Sequence, residues 1–272
     1  MNQSLKAAVY GLAVADALGV PYEFLARGSF EAVGMTGYGS HQQPAGTWSD
    51  DTSLVLATCD SIREKGKIDP ADIQQRFKNW FFEGEYTPDG LTFDVGNATR
   101  EALTRGHGLS DEYSNGNGSL MRILPLVFTA AGPSDIEAVS SITHAHATSI
   151  EACQLYVAIA RRLLRGQQLP EILSGLETSK TYARLQTLAE LTETDIRSSG
   201  YVVDTLEAAL WCLLTSTSYP ETVLKAVNLG DDTDTVAAVA GGLAGIIYGL
   251  EGIPDNWLAQ LRNKELLESC LF

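Results

Sequence analysis

The stretch that most constrains this chain is Asn228–Gly242, where Gly230-Asp-Asp-Thr-Asp-Thr235 leads straight into the apolar Val236-Ala-Ala-Val-Ala-Gly-Gly242. Asp and Thr ahead of such a run are helix-start residues, because their oxygens accept the first backbone N–H groups that lack an intrahelical partner. One capping side chain would meet that need. Here Asp231, Asp232 and Asp234 stand with Thr233 and Thr235, and crowded carboxylates repel one another unless something cationic sits between them. Far upstream the pattern recurs as Gly46-Thr-Trp-Ser49-Asp50-Asp51-Thr52-Ser53, followed by the apolar Leu54-Val-Leu-Ala-Thr-Cys59. Two acidic helix starts about 180 residues apart read as two halves of one site for a hard metal ion.

The rest of the chain is helical in pattern. Residues 3–18 are apolar on most faces, the mark of a helix buried deep in a larger fold. Helices are also expected at about 51–65, 70–82 (Ile73, Phe77, Trp80 and Phe81 on one face), 94–105, 119–130, 134–145, 148–165 and 170–176. A weaker one falls near 181–191, and the last third reads as 203–217, 220–228, 232–250, 254–261 and 263–269. Period-two β-branched runs are nearly absent, and prolines at 170, 220 and 254 punctuate helices rather than strands. Residues 25–48 are glycine-rich without periodicity and read as a long loop, a kind usually tied to function. No repeat or low-complexity linker divides the chain, so 1–272 is expected to be one all-α domain, a compact orthogonal helix bundle with a dinuclear metal cleft at helix N-termini.

A net charge of −15 argues against nucleic acid or an anionic membrane as partner. The longest apolar run, Val236–Tyr248, is short of the ~20 residues a membrane span needs. Cys59, Cys153, Cys212 and Cys270 are widely scattered, the first three within apolar helical runs; they read as free thiols, and a cytoplasmic, monomeric protein is expected.

Five constellations carry chemistry. Ser49, Asp50 and Asp51 with Asp232, Asp234 and Thr235 offer only oxygen donors, which favours Mg²⁺ or Mn²⁺ (with Ca²⁺ also a hard-ion option) over zinc or copper. Two ions a few ångströms apart would explain so many carboxylates; ordinary N-caps with surplus surface charge are the alternative. Glu23, between Tyr22 and Phe24, is either a carboxyl of raised pKa fit for acid–base work or a solvated loop residue. Gly116-Asn-Gly-Ser-Leu-Met-Arg122 before an apolar run either leaves backbone N–H groups open to an anion or is a plain loop leading into a helix. His144 and His146, spaced i, i+2, do not face one metal; His144 either bonds a ligand or is a satisfied imidazole. Tyr201, in a loop before a helix, could stack on a base or sugar, although one tyrosine alone carries little.

Taken in order, Gly11-Leu-Ala-Val-Ala-Asp16-Ala-Leu-Gly19-Val-Pro-Tyr-Glu23-Phe, Gly46-Thr-Trp-Ser-Asp-Asp-Thr52, Gly116-Asn-Gly-Ser-Leu-Met-Arg122 and Gly230-Asp-Asp-Thr-Asp-Thr235 resemble the ADP-ribosylglycohydrolase family across essentially the whole chain. The resemblance implies an all-α domain with two Mg²⁺ or Mn²⁺ ions in a cleft, removing ADP-ribose from an acceptor, most often arginine. It implies metal ligands at Ser49, Asp50, Asp51, Asp232, Asp234 and Thr235, with catalytic roles for Glu23, Asp50 and Asp232. It also implies ADP-ribose contacts at Gly96, Asn97, Asn117, Gly118, Ser119, Met121, His144 and Tyr201. Another ADP-ribose linkage, such as O-linked serine or a small derivative, is an alternative, and so is a non-catalytic binding or crystallin-like member. Two positions depart from the family pattern: Ser49 replaces a usual threonine, and Asp231 replaces a usual glycine.

Overall fold

A computed structural model describes residues 2–272 of the chain. The first helix, α1 (Gln3–Gly19), opens on Asn2, whose side chain accepts the backbone N–H groups of Ser4 and Leu5 at 3.0 and 3.4 Å. The remaining α-helices are α2 (Asp50–Lys65), α3 (Pro70–Glu83), α4 (Asn97–Arg105), α5 (Pro133–Ser140), α6 (Ala147–Leu164), α7 (Leu169–Ser174), α8 (Val202–Leu214), α9 (Tyr219–Asn228), α10 (Thr233–Tyr248), α11 (Asp255–Gln260) and α12 (Lys264–Cys270). Among the described residues there are three isolated β-bridges and no strand. Among the described residues no helix is long and apolar enough to cross a membrane. All four cysteines are buried free thiols.

Two helices form the centre. From Ala7 to Gly19 every residue of α1 is buried, and so is every residue of α10 from Thr233 to Gly245. These two pack along each other's length, with α8 and α9 also against α10, α2 touching both, and α3 covering α2. The approach is backbone to backbone. A Cβ placed on Gly241 would lie 2.5 Å from both the Gly11 carbonyl oxygen and the Ala15 Cβ, and one on Gly245 would lie 3.0 Å from Ala8 Cα. At one end of this contact the Thr233 hydroxyl donates to the Gly19 carbonyl at 2.9 Å, which ties the last turn of α1 to the first turn of α10.

Three expected helices are different in the structure. Residues 119–130 form turns and a 3₁₀ segment, Leu124–Phe128, rather than an α-helix. Pro125 explains this, since it lacks an N–H and its ring clashes with the carbonyl four residues back. The weak helix near 181–191 is likewise 3₁₀, Lys180–Glu190. The expected helix 134–145 stops at Ser140, so His144 lies in the α5–α6 connection, and His146 caps α6 through its Nδ1, which accepts the Thr148 N–H at 3.2 Å. The long loop 25–48 holds a single 3₁₀ turn, Gly39–His41. Gly39 has φ +53°, and a Cβ there would collide with the Pro21 backbone; glycine lets this turn lie directly on the segment that carries Glu23.

Candidate active site

The first acidic start is capped from outside its own helix. Asp16, on α1 and fully buried, accepts from the Ser49 N–H at 2.9 Å, the Thr52 N–H at 3.0 Å and the Thr52 hydroxyl at 2.6 Å. Both of its oxygens are thereby engaged. Ser49 is the N-cap of α2, and its hydroxyl donates to Asp51 Oδ2 at 3.1 Å. Thr235, from the first turn of α10, donates to that same oxygen at 3.2 Å. Asp51 and Asp234 thus meet where the starts of α2 and α10 come together, and each keeps one buried carboxylate oxygen, Asp51 Oδ1 and Asp234 Oδ2, without any partner.

Two triads share Asp234. Ligand atoms of Asp16, Asp51 and Asp234 lie within 4.8 Å of one another, and so do those of Glu23, Asp232 and Asp234. A third group, Glu23, His41 and Asp94, adjoins the second. Burial, before any charge repulsion, pushes every one of these carboxyls up: Asp16 to about 6, Asp94 to about 7, Glu23 to about 8, and Asp50, Asp51 and Asp234 well above the usual range. Their mutual charges push further, Asp232 on Glu23 and Glu23 on Asp94 in particular. Unpartnered buried oxygens, an all-oxygen donor set beneath two helix starts, and carboxyls that resist ionising all fit a bound hard cation, which would satisfy the oxygens and offset the repulsion.

Above these groups opens a cleft of about 380 Å³ whose wall includes Glu23, Asp50, Asp94, Asp232 and Thr235. Wider surface hollows of about 720 and 770 Å³ are elsewhere and lack such a cluster. Ser49, Asp51 and Asp234 are not in the cleft wall, and all three are buried. Asp232 is oriented by Asn117, whose Nδ2 donates to Asp232 Oδ2 at 2.7 Å and to the Thr205 hydroxyl at 2.9 Å. Gly96, Asn97, Gly118, Met121 and His144 also line the cleft. Gly96 caps α4 without a side-chain hydrogen bond, so the first N–H groups of α4 remain available beside the acidic floor.

One expectation needs correction and two need refinement. The Ser119 side chain is fully buried and turned away from the cleft, with its hydroxyl hydrogen-bonded to the Ser140 hydroxyl at 2.9 Å and accepting from Cys153 Sγ at 3.5 Å. Tyr201 is the N-cap of α8, pairs with the cleft-lining Gly116 in an antiparallel bridge, and stands exposed next to Gly200 of the cleft wall. Within the Gly116–Arg122 turn the Asn117 N–H donates to the Gly200 carbonyl and the Met121 N–H to the Asn117 carbonyl, each at 3.1 Å, and no helix starts at residue 119. Asp231 is exposed and adds nothing to the acidic centre. Its φ of +58° accounts for a glycine being usual at this position.

Asp16, Asp94 and His41 were not among the site residues read from the sequence. A lone carboxylate inside an otherwise apolar helix was the available signal for Asp16. His41 hydrogen-bonds Glu23 through Nε2, its ring lies between Phe24 and Phe93 at centroid distances of 5.8 and 5.3 Å, and the Ser40 hydroxyl donates to the Glu23 carbonyl at 2.5 Å. Glu23 is therefore held at both backbone and side chain by a loop with no motif of its own.

Two stability predictions arise here. Because Asp16, Asp94 and Glu23 bind their protons more tightly folded than unfolded, the stability they contribute is fully present below pH 4 and is lost as pH rises through about 6, 7 and 8. Metal-free protein in EDTA is expected to melt at a progressively lower temperature from pH 5 to pH 8.5, by up to about 1.4 kcal/mol per pH unit for each proton released. Saturating Mg²⁺ should flatten or reverse this slope; a flat EDTA profile would contradict the buried-charge account. Separately, Asp231→Gly removes a left-handed strain of about 1–2 kcal/mol and adds about 0.5–1 kcal/mol of glycine entropy. A net gain near 0.5 kcal/mol, with unchanged metal dependence, is expected in urea denaturation.

A family profile described as ADP-ribosylglycohydrolase matches residues 2–271. The chain is 38% identical to a protein of Pseudomonas putida (strain GB-1) named ADP-ribosylarginine hydrolase Tri1, over 94% of this chain and 73% of that one. It is 33% identical to the ADP-ribosyl-dinitrogen reductase glycohydrolase of Rhodospirillum rubrum, over 94% and 90%. A solved structure described as an ADP-ribosylglycohydrolase-related protein complex superposes with a TM-score of 0.82 at 34% identity, covering 98% of this chain and 95% of that one. On a match that runs almost from end to end, carried by relatives and by a solved fold alike, this chain belongs to the ADP-ribosylglycohydrolase family.

Proposed function

We propose that the protein is a metal-dependent hydrolase that removes ADP-ribose from modified acceptors, cleaving the N-glycosidic bond to an arginine guanidinium. The observation that carries this reading is the pair of carboxylate triads joined at Asp234 beneath the cleft, in a chain similar to proteins named for arginine-linked ADP-ribose. The sharing of Asp234 supports two neighbouring Mg²⁺ or Mn²⁺ ions, held by Asp50, Asp51, Asp232 and Asp234 with the Ser49 and Thr235 hydroxyls. Bound there, the ions would supply positive charge against the hydroxyls of the reacting ribose. Asp16 is outside this set, because both its oxygens are taken by the α2 N-terminus.

The chain's own groups divide the remaining work. Glu23, whose carboxyl burial pushes up, stands at the cleft to give a proton to the departing nitrogen and then take one from the attacking water. His41 and Ser40 fix where that carboxyl stands. Asn117 turns one Asp232 oxygen, leaving the other for the cleft. The uncapped N-terminus of α4 suits a phosphate of the substrate, which an acidic protein could not otherwise welcome. Residues 1–272 act as one unit in this reading, since the site draws on α1, α2, α4 and α10, and a single copy suffices. The four buried thiols suit a reducing cytoplasm.

The test is to incubate the protein with ADP-ribosylarginine in Mg²⁺, in Mn²⁺ and in EDTA, and to follow free ADP-ribose. Metal-dependent release is expected. Release only from serine-linked or small ADP-ribose derivatives would move the assignment to another bond. Binding of ADP-ribose with no turnover of any linkage would make this a binding protein.

A further inference from the structure

Arg122 is a fully buried cation whose partners are oxygens of the 139–143 segment rather than a carboxylate. Its guanidinium lies over the Phe77 ring, 4.6 Å from the centroid. Nη1 donates to the Val139 carbonyl at 3.2 Å, and Nη2 donates to the Ser140 carbonyl at 3.4 Å and to the Thr143 hydroxyl at 2.7 Å. The other partner of that hydroxyl is His144 Nδ1, 2.8 Å away.

The direction of this chain of hydrogen bonds follows from what each group can do. A guanidinium only donates, so the short Nη2 bond occupies a lone pair of Thr143 Oγ1. The hydroxyl proton then has one acceptor within reach, His144 Nδ1. Were Nδ1 protonated instead, the buried Thr143 O–H would have no acceptor, a penalty that favours the first arrangement by roughly tenfold or more. The Arg122 charge also opposes a second proton on the ring, which burial disfavours already.

His144 cannot easily swing away from this arrangement. Its N–H donates to the Ser140 carbonyl at 2.9 Å, its carbonyl accepts from the Ser140 hydroxyl at 3.0 Å, and the neighbouring Thr143 and Ala145 backbone groups are pinned to Leu109. The far edge of the ring meets Gly116 and Gly118 in the cleft wall; a Cβ on Gly118 would come 2.6 Å from Cε1 and 3.2 Å from Nε2.

We propose that Arg122 and Thr143 are positioning residues that lock His144 in the neutral tautomer with its proton on Nε2, so that the cleft wall carries a fixed, uncharged hydrogen-bond donor. Such a group takes an oxygen acceptor, a sugar hydroxyl or a phosphoryl oxygen, and gives nothing to a guanidinium, which has no acceptor. The part of this that concerns the ligand rests on the ADP-ribose reading: the His144 wall holds the ADP-ribose side of the substrate, and the arginine leaves beside Glu23.

Nitrogen-15 NMR of the ligand-free, full-length protein labelled at histidine reads the tautomer directly, with the His144 signal identified by its loss in His144→Gln. Wild type and Thr143→Ser are expected to show protonated Nε2, whereas Thr143→Val should shift toward protonated Nδ1. ADP-ribose itself is the binding probe: Thr143→Val should weaken its affinity about tenfold and raise KM more than it lowers kcat, and Thr143→Ser should stay within about twofold. A wild-type His144 protonated on Nδ1, or on both nitrogens, overturns the proposal, as does a folded Thr143→Val with tautomer and affinity unchanged. If Thr143→Val fails to fold, the wild-type and Thr143→Ser tautomers still decide. Should wild type carry the Nε2 proton yet bind no ADP-ribose, the ADP-ribose reading falls while the tautomer assignment stands.

Discussion

Asp234→Asn is expected to abolish metal-dependent release of ADP-ribose and, in EDTA, to raise the melting temperature. Both effects have one cause. Asp234 is fully buried, has an oxygen with no partner, and is common to the two triads. At neutral pH the metal-free protein must either keep its charge close to Asp51, Asp94, Asp232 and Glu23 or bind a proton that the unfolded chain would not hold. An amide of the same shape does neither, so folding without metal gains about 1.4 kcal/mol for each pH unit by which the carboxyl's titration is raised. The gain should disappear in saturating Mg²⁺, because wild type recovers about 2.7 kcal/mol at a metal concentration one hundred times its dissociation constant and the variant recovers far less. Activity should fall at least about a thousandfold, corresponding to roughly 4 kcal/mol of lost transition-state stabilisation. A scan in EDTA settles the physical claim separately from the enzymology: a variant that melts at or below the wild-type temperature would mean that the centre is not strained by its own charge.

Gly241→Val is expected to unfold the protein or to lower its stability by about 3 kcal/mol or more. Here two effects compete, and their sizes decide the outcome. Replacing a glycine inside a helix should stabilise it by about 0.5–1 kcal/mol through backbone entropy alone. Against that, even a single methyl on Gly241 meets the Gly11 carbonyl and the Ala15 Cβ at 2.5 Å. Neither can yield, since Ala15 belongs to the buried Ala7–Gly19 stretch of α1 and the Gly11 carbonyl also accepts the Tyr219 hydroxyl at 2.6 Å. Gly241→Ala should therefore already destabilise, in defiance of helix propensity, and Gly241→Val more so. Urea denaturation of the two variants checks the order. The consequence reaches the site, because a wider α1–α10 spacing would also part Gly19 from Thr233, and with them Asp16 and Asp51 from Asp234.

Much of this molecule is legible from local pattern. Apolar periodicity alone marks α1, α2, α3, α6, α8, α9 and α10, because each must bury a face and so repeats its side chains at helical spacing. The two acidic starts are equally local, and surplus carboxylates at a helix N-terminus announce themselves within five residues. Glu23 was visible through its aromatic neighbours. The failures have a common character. Residues 119–130 look apolar and helical until Pro125 breaks the ladder, and burial then turns Arg122 and Ser119 inward and away from any ligand.

What the order of residues determined by itself was the class of fold, the oxygen-only chemistry of the centre, and the two chain segments that supply it. What only the tertiary structure decided was which oxygens are left without partners, and where the neighbours of Glu23 come from. Asp16 is spent on capping α2, which no rule that looks a few residues along the chain could detect. His41 reaches Glu23 from 18 residues away because Gly39 lets a motif-free loop fold flat on Pro21. Capping and periodicity act over one or two turns of backbone, so sequence displays them openly. Convergence of Asp51 and Asp234 across 183 positions depends on α1 touching α10 through glycine while its Asp16 holds the start of α2, and those contacts exist only when all three helices are already in place.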